Sequence, residues 1–462
     1  MRKNDSIIAQ LDWPLFITFI VLLAFGVSTV YSVAYNPEHP NIFSFEEKYG
    51  KQMMWLGVAL FLGLIVFLID SDIYRKFAFP IYGFTLVLLV IVLFMPAING
   101  AHAWIGVAGM GIQPAEFSKI ATGLLLAKYI SELSVKQQTI SNVVGASMIL
   151  LVPMALILKQ PDAGTFVVFT SFLFVMYREG LTFDPIILSV INSFPGIKMK
   201  QTWVGSHFIP ILFVAVILSV VTLLLSNVEI NLFFFKASGY MGVIVTLIIL
   251  ALVAYLFVRQ FGSKRDHSRA GVIILIGLIL GSALSFSVGA SFSSLAPHQK
   301  VRIELFLGLK EDPNGEDYNR NRAMAAVGSG GLTGKGYNKA SVSSVESNHV
   351  PESETDFIFC PYAEEWGFIG VAVLISLYMF MLLRIIKIAE RQRAAFNRIY
   401  AYCVAMILFY HFAINIGMDI GLAPVIGIPL PFFSYGGSSM MSFSVMMFIL
   451  LKLDSQRKDV LR

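Results

Sequence analysis

Several short stretches of this sequence carry polar side chains whose types and spacing could do chemistry. In GIQPAEFSK, Glu116 and Lys119 are three residues apart, a spacing that puts both on one face of a helix. Pro114 suits the first turn of such a helix, and Gln113 directly precedes it. The two charged residues form either a structural ion pair or the polar wall of a substrate cavity.

A second stretch, KQPDAGT, contains Lys159 and Asp162 between two apolar runs. Asp162 suits the N-cap of the helix that follows, so an ordinary turn is one interpretation. A lysine near a helix N-terminus can also hold an anionic headgroup. Both interpretations stay open on this stretch alone.

A third stretch, GIPLPFFSYGGSS, is rich in proline and glycine, which interrupt helices. At membrane depth, such a backbone is tolerated only inside the protein or beside a cavity. We therefore expect either a tight re-entrant turn or a cavity lined by Ser434, Tyr435 and Gly436.

Two adjacent glutamates, Glu364 and Glu365, lie inside an apolar run, shortly after Pro361. Adjacent residues do not share a helix face. We therefore expect the two carboxylates to have different partners, one of them a basic residue.

The largest polar stretch runs from about Val288 to Asp356, and Asp312 lies near its centre. Loops of this length are either disordered or functional. A carboxylate near lipid headgroups can act as a general base for a sugar hydroxyl or hold a divalent cation, although Asp before Pro is also ordinary turn chemistry. The segment GSGGLTGKG within this stretch lacks the spacing and final Ser or Thr of a phosphate loop, which favours a flexible turn.

The composition defines the class of protein that must position these residues. Hydrophobic residues make up 56% of the 462 residues and charged residues 14%, whereas soluble domains carry about 25% charged residues. The mean hydropathy is +0.74. These values predict a polytopic membrane protein, so the net charge of +5 reports loop topology and not nucleic-acid binding. The two cysteines, Cys360 and Cys403, are expected to be packed residues.

The fold predicted from the apolar runs is an all-α membrane protein with about twelve transmembrane helices. Basic residues fall in alternate loops, which places both termini in the cytoplasm and the long 288–356 loop outside it. The predicted spans are Pro14–Val33, Met53–Ile69, Phe77–Phe94, Phe117–Ile130, Val143–Leu158, Thr165–Tyr177, Ile209–Leu225, Tyr240–Val258, Ala270–Phe286, Phe357–Ile386, Ile399–Ile416 and Ser439–Leu451.

Six motifs together resemble the SEDS family (shape, elongation, division and sporulation). They are GIQPAEFSK, KQPDAGT, EDPNGEDY, GSGGLTGKGY, HVPESETDFIF and GIPLPFFSYGGS, in the family's order. The resemblance covers about Leu15 to Leu451 and implies a single membrane domain over residues 1–462. The family has about ten spans, so we interpret residues 209–258 as an inserted transmembrane hairpin.

The resemblance implies a peptidoglycan glycosyltransferase in the bacterial cytoplasmic membrane. Such an enzyme polymerises lipid II into glycan strands at the outer face and releases undecaprenyl pyrophosphate. The most similar members serve cell-wall elongation, and the next most similar serve division. The implied partner is a class B penicillin-binding protein, a PBP2-like transpeptidase. No nucleic-acid partner is expected. A lipid II flippase or a non-catalytic scaffold of the elongation or division machinery are the alternatives.

The resemblance also suggests residue roles. Asp312 matches the essential aspartate, and we expect it to be the general base or to hold a divalent cation, Mg²⁺ or Mn²⁺. Glu116 and Lys119 match a membrane-facing polar pair, and Lys300 and Arg302 match basic positions upstream of the aspartate. The three basic residues are candidates for neutralising the pyrophosphate. The remaining substrate-binding candidates are Trp104, Gln113, Lys159, Asp162, Ser434 and Gly436.

Overall fold

The structure is a computed structural model of the whole chain. It describes residues 10–36, 38–39, 41–96, 102–106, 111–133, 139–193, 198–226, 229–232, 235–261, 264–294, 297–307, 309–310, 318–343 and 350–457. Asp312 and the side chain of Arg302 lie outside the described residues. Two compact units divide the chain: the first comprises Met1–Ser134, Val144–Glu179 and Asp317–Arg462, and the second Val135–Val143 and Gly180–Glu316.

The N-terminal half of the first unit is built mostly from apolar helices. These helices are α1 (Trp13–Val33), α2 (Lys48–Leu68), α3 (Ser71–Lys76), α4 (Ala78–Val92), α5 (Pro114–Glu132), α6 (Ile140–Lys159, in this unit from Val144), α7 (Ala163–Phe169) and α8 (Ser171–Arg178). The predicted span Thr165–Tyr177 is therefore two helices, because the helix is interrupted at Thr170, whose hydroxyl donates to the Val167 carbonyl at 2.6 Å.

The second unit contains the predicted inserted hairpin. Its elements are α9 (Asp184–Ile191), α10 (Trp203–Ser206), α11 (Phe208–Ser226), β1 (Glu229–Leu232), β2 (Phe235–Ser238), α12 (Gly239–Phe261), α13 (Lys264–Ser294) and α14 (Pro297–Phe306). The two strands pair antiparallel, with Glu229 opposite Ser238. This strand pair was not predicted, but the other described elements are helices, so the predicted helical membrane fold is confirmed.

Four helices complete the first unit. They are α15 (Tyr318–Ser329), α16 (Phe359–Arg391), α17 (Ala395–Asp419) and α18 (Gly437–Ser455). The polar run 288–356 is thus not one continuous loop, because α13 extends to Ser294 and α14 and α15 lie within it.

All twelve predicted spans are helical over most of their length. Within the described part of the chain, eight helices are long and apolar enough to cross a membrane, and three shorter apolar helices accompany them, Ala78–Val92, Ala163–Arg178 and Ile209–Leu225. The protein is therefore a multi-pass membrane protein, while the count of twelve crossings stays a prediction.

Helix α5 lies in the core of the first unit. It packs against α4, α17 and α18, and most of its residues are buried, including the polar Ser118, Lys119 and Thr122. A methyl group on Gly123 would lie 3.4 Å from the Cβ of Cys403 of α17, an ordinary contact distance, so α5 and α17 pack closely here. Cys360 and Cys403 are both free and buried, as predicted.

A charged network joins the start of α1 to the ends of α16 and α18. The Asp12 carboxylate caps α1 by accepting from the Leu15 N–H at 3.1 Å, and Arg384 donates to it at 2.9 Å. Arg391 bridges Asp12 and Asp454. Burial by itself would raise the pKa of Asp12, but the hydrogen bonds from Arg384, Leu15 and Arg391 outweigh burial and lower it.

Candidate functional site

A buried cluster of charged and polar side chains joins α5, α17 and α18. Lys119 Nζ lies 2.8 Å from Glu116 Oε1 and 2.8 Å from His411 Nε2. The other carboxylate oxygen, Glu116 Oε2, accepts from the Ser442 hydroxyl at 3.1 Å. The prediction that Glu116 and Lys119 share a helix face is confirmed.

The hydrogen bonds of His411 determine which of its ring nitrogens carries the proton. His411 Nδ1 lies 3.0 Å from the Pro429 carbonyl oxygen, which can only accept. Nδ1 therefore carries the proton, and in the neutral ring Nε2 accepts from the Lys119 ammonium. The Phe443 ring centroid, 5.1 Å from Lys119 Nζ, adds a cation–π contact.

These contacts hold the ammonium group of Lys119 inside the protein. The residue is 0% exposed, and Glu116, His411 and the Phe443 ring surround its ammonium group. A buried charge is tolerated when it is paired and hydrogen-bonded in this way. The geometry supports Lys119 as a residue that positions α5, α17 and α18 and not as a direct ligand of an anion; its role in substrate binding stays a prediction.

A polar chain leads from the start of α5 to the turn between α6 and α7. The backbone N–H of Gln113 donates to the Ser438 hydroxyl at 2.9 Å, and its side-chain Nε2 donates to Asp162 Oδ2 at 2.9 Å. Asp162 Oδ1 accepts from the Thr165 N–H at 2.9 Å, so Asp162 is the N-cap of α7, as one interpretation of KQPDAGT expected. Lys159, the last residue of α6, is exposed.

Burial raises the pKa of Asp162, and the nearby Glu116 carboxylate adds to the rise, against the hydrogen bonds from Thr165 and the charge of Lys119. The four predicted residues thus form two interacting pairs. An ion pair joins Glu116 and Lys119, and a hydrogen bond joins Gln113 and Asp162. The charges of the first pair also act on Asp162.

Asp356 is a candidate residue that the site prediction did not include. It is half-buried and lies just before α16. The Asn415 amide donates to its backbone carbonyl at 2.7 Å. Burial, together with the carboxylates of Glu352 and Asp162, raises the pKa of Asp356 to about 7. A carboxyl group with such a pKa can both accept and release a proton near neutral pH. The sequence feature that could have identified Asp356 is its position at the end of ESETD.

The Pro/Gly-rich stretch before α18 forms a tight turn held by α2. Ser434 is buried, and its hydroxyl accepts from the Leu430 N–H at 2.8 Å. Gln52 of α2 donates to the Ser434 carbonyl and accepts from the Gly436 N–H, each at 3.3 Å. Gly436 has a φ of 158° and caps α18. Trp104 is half-buried beside Gly111, next to the bridge between Ile105 and Ile112.

The two adjacent glutamates of α16 have different partners, as predicted. Glu364 accepts from Lys335 at 2.6 Å and from the backbone of Ser343 at 3.0 Å. Glu365 accepts from the Ser32 hydroxyl and, at 3.0 Å, from the Asn338 N–H.

The glycine-rich segment that resembles a phosphate loop is packed against α16. Gly334 has a φ of +78°, and a side chain there would meet the Glu365 carbonyl at 2.0 Å. The Lys335 N–H donates to the Glu364 carbonyl at 3.0 Å. This segment, expected to be a flexible turn, is packed against α16.

The remaining predicted residues belong to the second unit. Lys300 is half-buried in α14, which also contains Arg302. Asp312 lies outside the described residues. Among the residues that the structure describes, no group of three or more His, Cys, Asp or Glu side chains could hold a metal ion.

The helices and the buried charged cluster define a multi-pass membrane protein with a polar centre inside an apolar core. The model of the cell cycle protein family FtsW, RodA and SpoVE matches residues 12–207 and 267–459. The chain therefore belongs to this family, the SEDS family. The match omits residues 208–266, the stretch that contains the predicted inserted hairpin.

Curated relatives match the chain over nearly its full length. It is 31% identical to the peptidoglycan glycosyltransferase RodA of Treponema pallidum (strain Nichols), covering 97% of this chain and 99% of the relative. It is 27% identical to the peptidoglycan glycosyltransferase MrdB of Escherichia coli (strain K12), with coverages of 97% and 95%.

Solved structures share the fold. A chain of a peptidoglycan synthase complex that coordinates polymerization and crosslinking matches with a TM-score of 0.63 at 23% identity, covering 97% of this chain and 98% of that chain. The rod shape determining protein RodA of Thermus thermophilus matches with a TM-score of 0.54 at 22% identity, covering 97% of each chain.

Proposed function

We propose that this protein is a peptidoglycan glycosyltransferase that polymerises lipid II during cell-wall elongation and releases undecaprenyl pyrophosphate. Its family and the names of its relatives support this function. The observation that carries it is the polar centre of the first unit, where Glu116 and Lys119 are buried in an ion pair and Asp162 is linked to the same helix.

Polymerisation needs two chemical tasks. A proton must leave the attacking sugar hydroxyl, and the negative charge that develops on the pyrophosphate must be neutralised. We assign Asp312 to the first task. Asp356, with a pKa of about 7, is suited to accept and release a proton near neutral pH.

The second task needs a cation that can reach the substrate. Lys159 is exposed and three residues from Asp162, whereas Lys119 is fully buried. We therefore assign contact with the pyrophosphate to Lys159 of the first unit and a positioning role to Lys119, and Lys300 and Arg302 stay candidates through the family resemblance.

A divalent cation, Mg²⁺ or Mn²⁺, belongs to the proposal through Asp312. The described residues offer no complete protein ligand set for such an ion. Mg²⁺ at phosphate sites is typically held by one or two carboxylates together with substrate phosphates, so Asp312 is the proposed protein ligand. When bound, the ion would add positive charge next to the pyrophosphate.

The proposed setting is the outer face of the cytoplasmic membrane, with both termini in the cytoplasm. The proposed partner is a class B penicillin-binding protein of the PBP2 type, since one structural relative is part of a peptidoglycan synthase complex. Lipid II and the growing glycan strand are the proposed substrates.

Reconstitution of the purified chain with the partner, lipid II and Mg²⁺ or Mn²⁺ tests the function. We expect glycan strands, resolved by gel electrophoresis. Transfer of lipid II between leaflets without strand formation would instead identify a flippase. If neither occurs, while the partner still binds, the protein is a scaffold.

A further inference from the structure

A cavity of about 420 Å³ lies beside the turn that precedes α18. Its wall is formed by residues 350–355, by Lys48 at the start of α2 and by Tyr435. This volume is within the range of about 300–1,000 Å³ that is usual for small-molecule sites. Tyr435 directly precedes Gly436 in the sequence, and all residues of the wall belong to the first unit.

The charges of the wall favour a neutral, hydroxyl-rich ligand. Lys48 forms an ion pair with Glu354, whose side chain is 9% exposed. Glu352 is exposed and adds a second carboxylate. One cation against two carboxylates disfavours a phosphate or pyrophosphate group, whereas an ionised carboxylate accepts hydrogen bonds from hydroxyl donors.

The wall carries a carboxylate in an unusual backbone conformation. Ser353 is 0% exposed, so its hydroxyl does not reach the cavity, whereas the neighbouring Glu352 is exposed. Glu352 has a φ of +55°, a conformation that is uncommon for residues other than glycine and that concentrates at functional sites.

Tyr435 supplies an aromatic surface at this wall. It is half-buried, and its backbone N–H donates to the Glu354 carbonyl at 2.8 Å. This bond holds the backbone of Tyr435 to the segment that carries Glu352. An apolar ring face together with hydroxyl and carboxylate groups matches a sugar ring, which has an apolar C–H face and a rim of hydroxyls.

We infer that this cavity is a carbohydrate subsite that binds an N-acetylated sugar of peptidoglycan. Tyr435 packs against the sugar ring, and the Glu352 carboxylate accepts hydrogen bonds from its hydroxyl or acetamido groups. The inference rests on the proposed function and extends it, because it places sugar recognition at this cavity and pyrophosphate recognition elsewhere. The sugar comes either from the growing strand or from the lipid-linked disaccharide.

The first test is binding of a soluble N-acetylglucosamine tetramer to the full chain in nanodiscs, measured by saturation-transfer NMR and calorimetry. We expect saturable binding, weakened about two- to tenfold by Tyr435→Ala and about two- to tenfold by Glu352→Ala. Tyr337→Ala removes a 41% exposed aromatic side chain outside the cavity and is expected to bind like the wild type. Thermal unfolding of each variant checks that it is folded.

The second test uses the polymerisation assay and distinguishes the source of the sugar. A raised KM for lipid II in Tyr435→Ala assigns the subsite to the lipid-linked disaccharide, and shorter strands at unchanged KM assign it to the growing strand. The inference is overturned if the wild type polymerises lipid II but does not bind the tetramer, or if both cavity variants bind it like the wild type. A wild type that binds the tetramer without polymerising lipid II would refute the proposed function and leave the subsite standing.

Discussion

Replacing Lys119 by methionine tests whether the buried cluster holds the first unit together. The side chains of Lys119 and Glu116 are 0% and 4% exposed, and Nζ lies 2.8 Å from Oε1. Methionine keeps most of the side-chain volume but leaves the Glu116 carboxylate buried without its counter-charge. Removal of one partner from a buried ion pair costs about 3–5 kcal/mol, so we expect a loss of this size in the free energy of unfolding.

The matched control is Lys128→Met on the same helix. Lys128 is half-buried, and its Nζ lies 5.0 Å from the Phe79 ring centroid. Loss of a cation–π contact of this kind costs at most about 1 kcal/mol. The two lysine variants therefore differ in environment but not in chemistry.

The assay is denaturant unfolding in bicelles, with the free energy taken by linear extrapolation. The double variant Glu116→Gln/Lys119→Met removes both charges, and we expect it to be less destabilised than the sum of the single variants by about 1–3 kcal/mol. The reasoning is refuted if Lys119→Met costs no more than Lys128→Met, or if the two single effects simply add.

Three further predictions concern protons and cations. Because the folded-state pKa of Asp356 is raised to about 7, the folded protein binds a proton that the unfolded chain has released; stability should fall as pH rises from about 4 to 7, and Asp356→Asn should flatten that slope in unfolding measured at each pH. The pKa of Asp12 is lowered from 3.8 in the folded protein. Its contribution to the free energy of unfolding should therefore be complete above about pH 4 and be lost as pH falls through the lower folded-state pKa. Asp12→Asn should remove this loss of stability at acid pH, and an unchanged dependence of stability on acid pH would contradict the role of the network. Removal of divalent cations with EDTA should stop polymerisation without changing circular dichroism, and Mg²⁺ or Mn²⁺ should restore it; full activity in EDTA would exclude the proposed ion.

Much of the fold could be predicted from local patterns. Long apolar runs in a chain with 14% charged residues predict membrane helices, and the spacing of Glu116 and Lys119 predicts a shared face. The adjacency of Glu364 and Glu365 predicts separate partners. Each of these inferences depends on geometry within a single helix, which the sequence determines directly.

The partners of the charged residues could not be predicted in the same way. His411 is 292 positions from Lys119, and a single histidine in an apolar helix gives no sign of the residue it faces. The same holds for Gln52, which binds the turn at Ser434 and Gly436 across 382 and 384 positions. These contacts follow from how helices pack, and their apolar faces are too uniform for the sequence to specify one neighbour.

Asp356 was missed for a related reason. Its position in ESETDFIF marks it only as the last polar residue before an apolar run. Burial and the nearby carboxylates of Glu352 and Asp162 raise its pKa, and Asp162 is far away in the sequence. The strand pair β1–β2 was missed because four-residue strands between two apolar helices carry little periodicity.

The proposed catalytic chemistry depends most directly on Asp312. The decisive measurement is the polymerisation rate of Asp312→Asn, reconstituted with the partner and lipid II, beside the neighbouring charge-matched variant Glu311→Gln. We expect Asp312→Asn to lose about 10²–10⁴-fold in rate while expression and partner binding persist, and Glu311→Gln to polymerise at close to the wild-type rate. A near wild-type rate in Asp312→Asn would contradict the assignment of this aspartate as the catalytic residue.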